Sequence, residues 1–421
     1  MHALNIAIAA IAALALVMSL FTYWIRRHWI NEPVLALLMG VLIGPVGLGW
    51  LDLARYGDER EIIEVTARLT LAVVLVSVGI ELRTYLPRYW QSLTVLVVGG
   101  LVLMWGASAL LVGWILDLAL LPALLLGAVL APIDPILTAS AATGRIAREN
   151  LRESTRRLLS AESSARHGIG LVFVLLPALL FTEGRAAAWG QWLTEVVLWK
   201  GLVAIAIGVA VGYVAGRAQR WSAARGFVEA ETGPLVALFL ALSLALVSLV
   251  ELMHSDGVLA VLVAGIAFVW ARADGEPGAQ LEQQDRHYEQ LIKQVLQVPV
   301  FLLLGAALPW AEWAKLGWAA LVLVVAVLVL RRIPAMLLLK PLVRQLHRWD
   351  EALYIGWFGP VRVGALYFAA VAEKETGLAE IWTVTTLLVA TSAVVHDITV
   401  TPLNRWLGGR HKIVYAEHPD V

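Results

Sequence analysis

Two apolar stretches of the chain contain ionisable residues at positions where hydrocarbon surroundings would make a charge costly. Asp134 lies between Pro132 and Pro135 in the stretch LLPALLLGAVLAPIDPILTAS. The two prolines prevent a regular helix through the acid and leave nearby backbone carbonyls free. Those carbonyls, the Asp134 carboxylate and Thr138 are hard oxygen ligands for a small cation or a proton. The structural alternative is a carboxylate that only caps a broken helix.

The stretch SAESSARHGIGLVFVLLPALLFT places Glu162 and Arg166 four residues apart, a spacing that allows a direct pair on a helix. Arg362, in a later apolar segment, is a second candidate partner, and we expect a Glu162–Arg362 pair with a structural role. His167 follows directly, and because a histidine side chain ordinarily changes charge near neutral pH, it is a candidate proton carrier. A neutral histidine bonded to a backbone carbonyl is the alternative.

The composition indicates a polytopic membrane protein. The chain has 421 residues, of which 60% are hydrophobic and 15% charged, and its mean hydropathy is +0.78. Apolar runs of about 20 residues match the ~30 Å of hydrocarbon that a helix must cross. The formal net charge of zero gives no reason to expect a nucleic-acid partner, and the absence of cysteine excludes thiolate metal sites. We find no phosphate-binding glycine loop, metal-ligand cluster or nucleophile triad, so neither an enzyme nor a cofactor is predicted.

Apolar runs bounded by charges, Pro and Gly predict a single integral membrane domain over residues 1–421 with about 13 transmembrane helices. The predicted loops on one side hold most of the lysines and arginines, Arg331 and Arg332 among them. This bias places the N-terminus outside and the C-terminus in the cytoplasm. His396, near the end of the last span, is expected at the membrane interface.

Thirteen spans divide into six, one and six, with the second six inverted relative to the first. Span five then corresponds to span twelve, whose sequence GWFGPVRVG contains Gly359 and Pro360 mid-span. Matching Pro/Gly-interrupted segments in two halves indicate a transporter site built from discontinuous helices. We therefore expect an all-α protein with inverted repeats and crossed, discontinuous spans five and twelve.

Five segments in order resemble the monovalent cation:proton antiporter superfamily, specifically its bacterial sodium/proton exchanger branch. These segments are LLLGAVLAPIDPILTA, LSAESSARHGIGLVFVLLPALLF, VPVFLLLGAALPW, GWFGPVRVGALYFAAV and SAVVHDITVTPLNRWLG. The resemblance implies proton exchange for a monovalent cation, Na⁺ or K⁺, by a homodimer in the lipid of the bacterial inner (cell) membrane. It also implies that Glu162 pairs with Arg362 and that Asp134 is the acid of span five.

The resemblance further implies two bundles that move relative to each other. The core ion-site bundle would comprise spans 4–6 and 11–13, at about residues 92–182 and 316–402. The dimerisation and scaffold bundle, with a linker helix, would comprise spans 1–3 and 7–10, at about residues 3–82 and 192–310.

The chain departs from the family pattern at span six, where Arg166 and His167 replace the usual Asn–Asp pair. An imidazole is a poorer Na⁺ ligand than a carboxylate. Arg166 could instead reach Asp134 as a tethered cation and release it when the transported ion binds. Two functions follow: an antiporter that uses Asp134 and His167, or an antiporter-derived sensor, assembly partner or carrier of a different solute.

Overall fold

Every regular element among the described residues is a helix. The computed structural model describes residues 32–134, 145–227, 233–272 and 296–417, together with scattered positions between 6 and 20. Within these ranges the predicted all-α class is confirmed.

The helices are numbered in chain order. Those of the first half are α1 (Glu32–Ile43), α2 (Glu59–Thr94), α3 (Gly100–Leu116), α4 (Leu120–Leu130), α5 (Arg145–Asn150), α6 (Glu153–Thr182), α7 (Arg185–Gln191) and α8 (Ala204–Ala224). Those of the second half are α9 (Gly233–Leu252), α10 (Gly257–Arg272), α11 (Leu296–Ala306), α12 (Trp310–Leu316), α13 (Trp318–Leu330), α14 (Ile333–Leu339), α15 (Trp349–Trp357), α16 (Val363–Thr376) and α17 (Ala379–Glu417). Two π-helical segments, Val95–Gly99 and Trp192–Val203, join α2 to α3 and α7 to α8.

The helices have the lengths and hydropathy of a multi-pass membrane protein. Among the described residues, five continuous helical runs are long and apolar enough to cross a membrane, or up to seven if each bent pair counts as one span. Shorter apolar helices include α1, α4 and α10. The count of about 13 spans stays a prediction, because most of predicted span one lies outside the described residues.

Spans five and twelve are broken as predicted. Helix α4 ends at Leu130, and Pro132, which has no backbone N–H, follows two residues later. Helix α15 ends at Trp357, the chain then runs without helix through Gly359 and Pro360, and α16 resumes the span at Val363. The expected break position at Pro135 lies outside the described residues, as does Thr138.

On one side of the molecule, α10 packs against α2, α8 and α9. A row of glycines on α8, Gly208, Gly212 and Gly216, allows this approach, since a Cβ at any of them would meet the backbone of α10. Small residues let membrane helices come close enough for backbone contact. These helices belong to the predicted scaffold bundle.

The broken helices lie in a second group. Helix α4 packs against α3 and α6, and α16 packs against α6, α4 and α17. Leu126, Leu366 and Leu388, from α4, α16 and α17, lie in one buried apolar cluster. Helix α16 also packs on α2, which joins this group to the scaffold helices. The two breaks are therefore enclosed by packed helices and not by lipid, as irregular backbone at membrane depth requires.

Candidate functional site

The two breaks meet through the backbone. The N–H of Asp134 donates to the carbonyl oxygen of Pro360 at 3.1 Å, which joins the break of span five to that of span twelve. Asp134 is 1% exposed. The predicted crossing of spans five and twelve therefore occurs, with the acid directly at the point of contact.

Arg331, which lies between α13 and α14, connects the same two breaks. Its guanidinium donates to the carbonyl oxygen of Leu130, the last residue of α4, and to that of Gly359 in the break of span twelve. The last carbonyls of a helix lack backbone partners and carry partial negative charge. The buried guanidinium of Arg331 satisfies both carbonyls and compensates the partial negative charge at the end of α4.

Arg332 holds the break of span twelve to span six. One of its nitrogens donates to the carbonyl oxygen of Phe358 at 2.8 Å, and another donates to Glu162 Oε2 at 2.7 Å. The prediction that Arg331 and Arg332 lie in a cytoplasmic loop is wrong, because both are buried. They follow one apolar helix and precede another, so the apolar sequence on both sides was the signal for their depth.

Glu162 is fully buried and forms ion pairs with two arginines. Arg166 Nη2 lies 2.6 Å from its Oε1, and Arg332 Nη2 contacts its other oxygen, Oε2. The predicted pair with Arg166 is therefore present. The predicted Glu162–Arg362 pair is wrong, because Arg362 forms its ion pair with Asp397. Arg362 ends the break next to α16 and faces α17, whereas Arg332 lies where it can reach α6.

Arg166 is directed towards α3 and the π-helical segment before it. Its guanidinium donates to the carbonyl of Leu96 and contacts the Met104 thioether. A Cβ on Gly100 would overlap the guanidinium, so glycine there makes room for it. Among the described residues, Arg166 forms its ion pair with Glu162 and not with Asp134, which corrects the expectation that it occupies the place of a cation at Asp134.

Span thirteen holds the break of span twelve, a role that the sequence did not reveal. Asp397 pairs with Arg362, Ser392 Oγ accepts from the N–H of Val361 at 3.0 Å, and the His396 ring lies 3.0 Å from the carbonyl oxygen of Trp357. His396 is 2% exposed and lies inside the helix bundle, so its expected interfacial position is wrong. The side chain of His167 lies outside the described part of α6.

The described charges at the crossing include more arginines than acids. The buried arginines are Arg166, Arg331, Arg332 and Arg362, and the buried acids are Asp134, Glu162 and Asp397. Glu162 and Asp397 are held by arginines. Asp134 is the buried acid whose backbone N–H joins the two breaks.

Comparison with known proteins agrees with this architecture. The family model described as "Sodium/hydrogen exchanger, transmembrane" matches residues 10–406. The Na(+)/H(+) antiporter 2 of Zygosaccharomyces rouxii is 31% identical over 443 residues, which cover 96% of this chain and 53% of that protein. The Na(+)/H(+) antiporter of Saccharomyces cerevisiae is 28% identical, with 97% of this chain and 44% of that protein covered.

This chain spans about half the length of the two yeast relatives that it matches. The K(+)/H(+) antiporter NhaP of Alkalimonas amylolytica is 28% identical over 222 residues, 52% of this chain and 36% of that protein. In fold, the chain is similar to the sodium proton antiporter MjNhaP1 from Methanocaldococcus jannaschii. The TM-score is 0.72 at 18% identity, with 96% of this chain and 99% of that one covered.

Proposed function

We propose that this chain, which belongs to the transmembrane sodium/hydrogen exchanger family, exchanges protons for a monovalent cation, Na⁺ or K⁺, across a membrane. The observation that carries the proposal is the buried Asp134 at the meeting point of two broken helices. Relatives named as Na(+)/H(+) and K(+)/H(+) antiporters support both cations as candidates.

Exchange follows if one carboxylate binds the proton and the cation in turn. A protonated Asp134 loses the negative charge that attracts a cation, and a bound cation disfavours protonation. Carbonyls of broken helices supply further oxygen ligands in transporters of this kind. Thr138 would add a hydroxyl oxygen from the same span. Span five thus supplies the ligands, and competition at Asp134 supplies the coupling.

Alternating access would move the core bundle against the scaffold bundle, with the bounds predicted from the sequence. The contact of α16 with α2 joins the two proposed bundles, so it would slide or reform during the cycle. We place His167 in this proposal as a second proton carrier next to the site. Arg166, held by Glu162 and Leu96, contributes a fixed positive charge and does not travel to Asp134.

The remaining partners and the location are proposals of the same kind. We propose a homodimer in the lipid of a cell membrane, as in the bacterial branch, with the N-terminus outside and the C-terminus in the cytoplasm. The positive charge of the predicted loops supports this orientation.

The experiment is flux in proteoliposomes that contain the purified protein. An imposed pH gradient should drive uptake of Na⁺ or K⁺, and an imposed cation gradient should move protons in the opposite direction. Protein-free liposomes give the background. Absence of flux for Na⁺, K⁺ and Li⁺ at every neutral and alkaline pH tested would contradict the proposal.

The excess of buried arginines over buried acids among the described residues at the crossing favours one alternative. That alternative is a carrier of a different solute, such as an anion, or a sensor or assembly partner that does not exchange ions. Restoring the family pattern with the double variant Arg166→Asn and His167→Asp separates the two readings. Exchange that appears only in the double variant would indicate a lost activity and support the alternative. Exchange already present in the unaltered protein would support antiport.

A further inference from the structure

The break of span twelve exposes backbone groups that need partners, because no water is present to satisfy them at membrane depth. Three of its carbonyls bind groups already described: Phe358 binds Arg332, Gly359 binds Arg331 and Pro360 binds the N–H of Asp134. The carbonyl of Trp357 accepts from the N–H of Gly359 at 2.8 Å within the break, and it and the N–H of Val361 each have a further contact outside the break.

Helix α17 supplies partners for both of these groups from residues one helical turn apart. His396 Nε2 lies 3.0 Å from the carbonyl oxygen of Trp357, and Ser392 Oγ accepts from the Val361 N–H at 3.0 Å. Both side chains are buried. Since a carbonyl oxygen can only accept, the Nε2 of His396 must carry a hydrogen.

A neutral imidazole also satisfies the contact between Nδ1 and the serine hydroxyl, although it offers no hydrogen to the Ser392 carbonyl oxygen 2.9 Å from Nδ1. Ser392 Oγ lies 3.1 Å from His396 Nδ1, and its hydroxyl is free to donate to that nitrogen while it accepts from Val361. A hydrogen-bonded chain then runs from Val361 through Ser392 and His396 to Trp357.

A doubly protonated ring is the competing arrangement. In that state Nδ1 would donate to the carbonyl oxygen of Ser392, which lies 2.9 Å away, and the serine hydroxyl would lose its acceptor. The charged groups around the ring are Arg331 and Arg362, together with Asp397, which is already paired with Arg362. No ion pair with His396 is present among the described residues, so the neutral ring fits the surroundings better.

We propose that His396, as the neutral Nε2–H tautomer, is a positioning residue for the exchange reaction. With Ser392 it fixes the extended segment that presents the Pro360 carbonyl, and that carbonyl holds the backbone of Asp134. His396 therefore acts on cation binding through Pro360 and Asp134, without contact with the ion. This inference rests on the proposed function.

The transport test compares two amide side chains of different reach. Gln can bring a donor close to the position of Nε2, whereas Asn reaches only about as far as Nδ1. We expect His396→Asn to raise the KM for the transported cation about tenfold, the effect of one lost hydrogen bond, with a smaller change in maximal rate. We expect His396→Gln to restore a KM near that of the unaltered protein.

The control is Thr391→Ala, which lies on the same helix and whose hydroxyl bonds only within that helix among the described residues. It should leave both kinetic constants unchanged. Equal KM values for His396→Asn and the unaltered protein would overturn the proposal. A KM for His396→Gln as high as that of His396→Asn would overturn it as well.

A spectroscopic measurement reads the tautomer without any transport. Nitrogen-15 NMR of protein labelled at histidine, with His396→Gln used to assign the resonance, should show one protonated and one unprotonated ring nitrogen at neutral pH, with the proton on Nε2. A doubly protonated ring, or a proton on Nδ1 alone, would overturn the proposal. If transport is absent altogether, the proposed function fails, and the spectrum still reports the tautomer separately.

Discussion

The breaks of spans five and twelve are held in different ways. The break of span twelve is held by side chains from several elements: Ser392, His396 and Asp397 on α17, with Arg331 and Arg332 on the other side. The described part of the span-five break is held by its backbone at Asp134 and by Arg331 at the end of α4.

This difference assigns structural support to span twelve and the ion-binding carboxylate to span five. Span twelve supplies a break whose carbonyls from Trp357 to Pro360 already have partners, so it can orient a neighbouring group without binding the ion through its own side chains. Span five brings a carboxylate to that break. A change in the ligand of Asp134 therefore need not disturb the contacts that keep the two helices crossed.

The largest loss of stability is expected for Glu162→Gln, which affects the contacts of the span-twelve break and not those of the span-five break. The substitution leaves Arg166 and Arg332 without their carboxylate in a fully buried position. Removing one partner of a buried ion pair costs about 3–5 kcal/mol. Thermal unfolding in detergent measures the effect. Glu153→Gln is the control, because Glu153 forms a pair of the same spacing with Arg157 but is exposed, and equal effects of the two variants would contradict the account.

Arg331→Ala removes the side chain that connects the two breaks. The carbonyls of Leu130 and Gly359 would lose their guanidinium donor, at about 1–3 kcal/mol for each unsatisfied group. The melting temperature should fall more than in Arg344→Ala, which removes an exposed arginine nearby. A melting temperature equal to that of the control would show that the connection does not stabilise the crossing.

A smaller effect is expected for Gly100→Ala, which displaces Arg166 and leaves both breaks intact. The added methyl group overlaps the guanidinium, and such overpacking costs about 1–3 kcal/mol. Gly106→Ala on the same helix meets no atom within 4 Å and serves as the control. Similar unfolding curves for the two variants would argue against the observed position of Arg166.

The smallest effect is expected at Glu373, beyond the predicted end of span twelve and away from both breaks. Burial raises the pKa of this carboxyl above its ordinary value of 4.5, although the Arg60 guanidinium opposes the rise. A group with a raised folded pKa stabilises the fold at pH values below 4.5, and this contribution is lost as the pH rises through the folded pKa.

Glu373→Gln should therefore flatten the dependence of melting temperature on pH in the window above 4.5. Glu375→Gln, which changes an exposed acid on the same helix, should keep the slope of the unaltered protein. An unchanged slope in Glu373→Gln would mean that another group causes the dependence.

The breaks were predictable from the sequence because proline and glycine act on the chain locally. Pro132 and Pro360 have no backbone N–H to donate and Gly359 lowers helix stability, so both segments favour a break. The need to enclose the carbonyls left free then indicates a buried crossing. The depth of Asp134 followed from the same local argument.

The ion pairs were less predictable because they depend on distances between helices far apart in sequence. The sequence offered two candidate ion-pair partners for Glu162. Arg332 was not among them, because two adjacent cations after an apolar run also match a cytoplasmic loop. His396 was missed for a related reason, since its partner Trp357 lies in another span. The roles of Thr138 and His167 stay predictions.

The most direct test of the central claim is the cation flux of Asp134→Asn in proteoliposomes, measured beside Asp117→Asn. Asp117 is an exposed acid just before the same span, in a left-handed backbone conformation that asparagine tolerates. We predict that Asp134→Asn folds and reconstitutes normally and that its proton-driven cation flux equals that of protein-free liposomes, while Asp117→Asn retains full flux. Undiminished flux in Asp134→Asn would contradict the claim that ion exchange occurs at the crossing of the two broken helices.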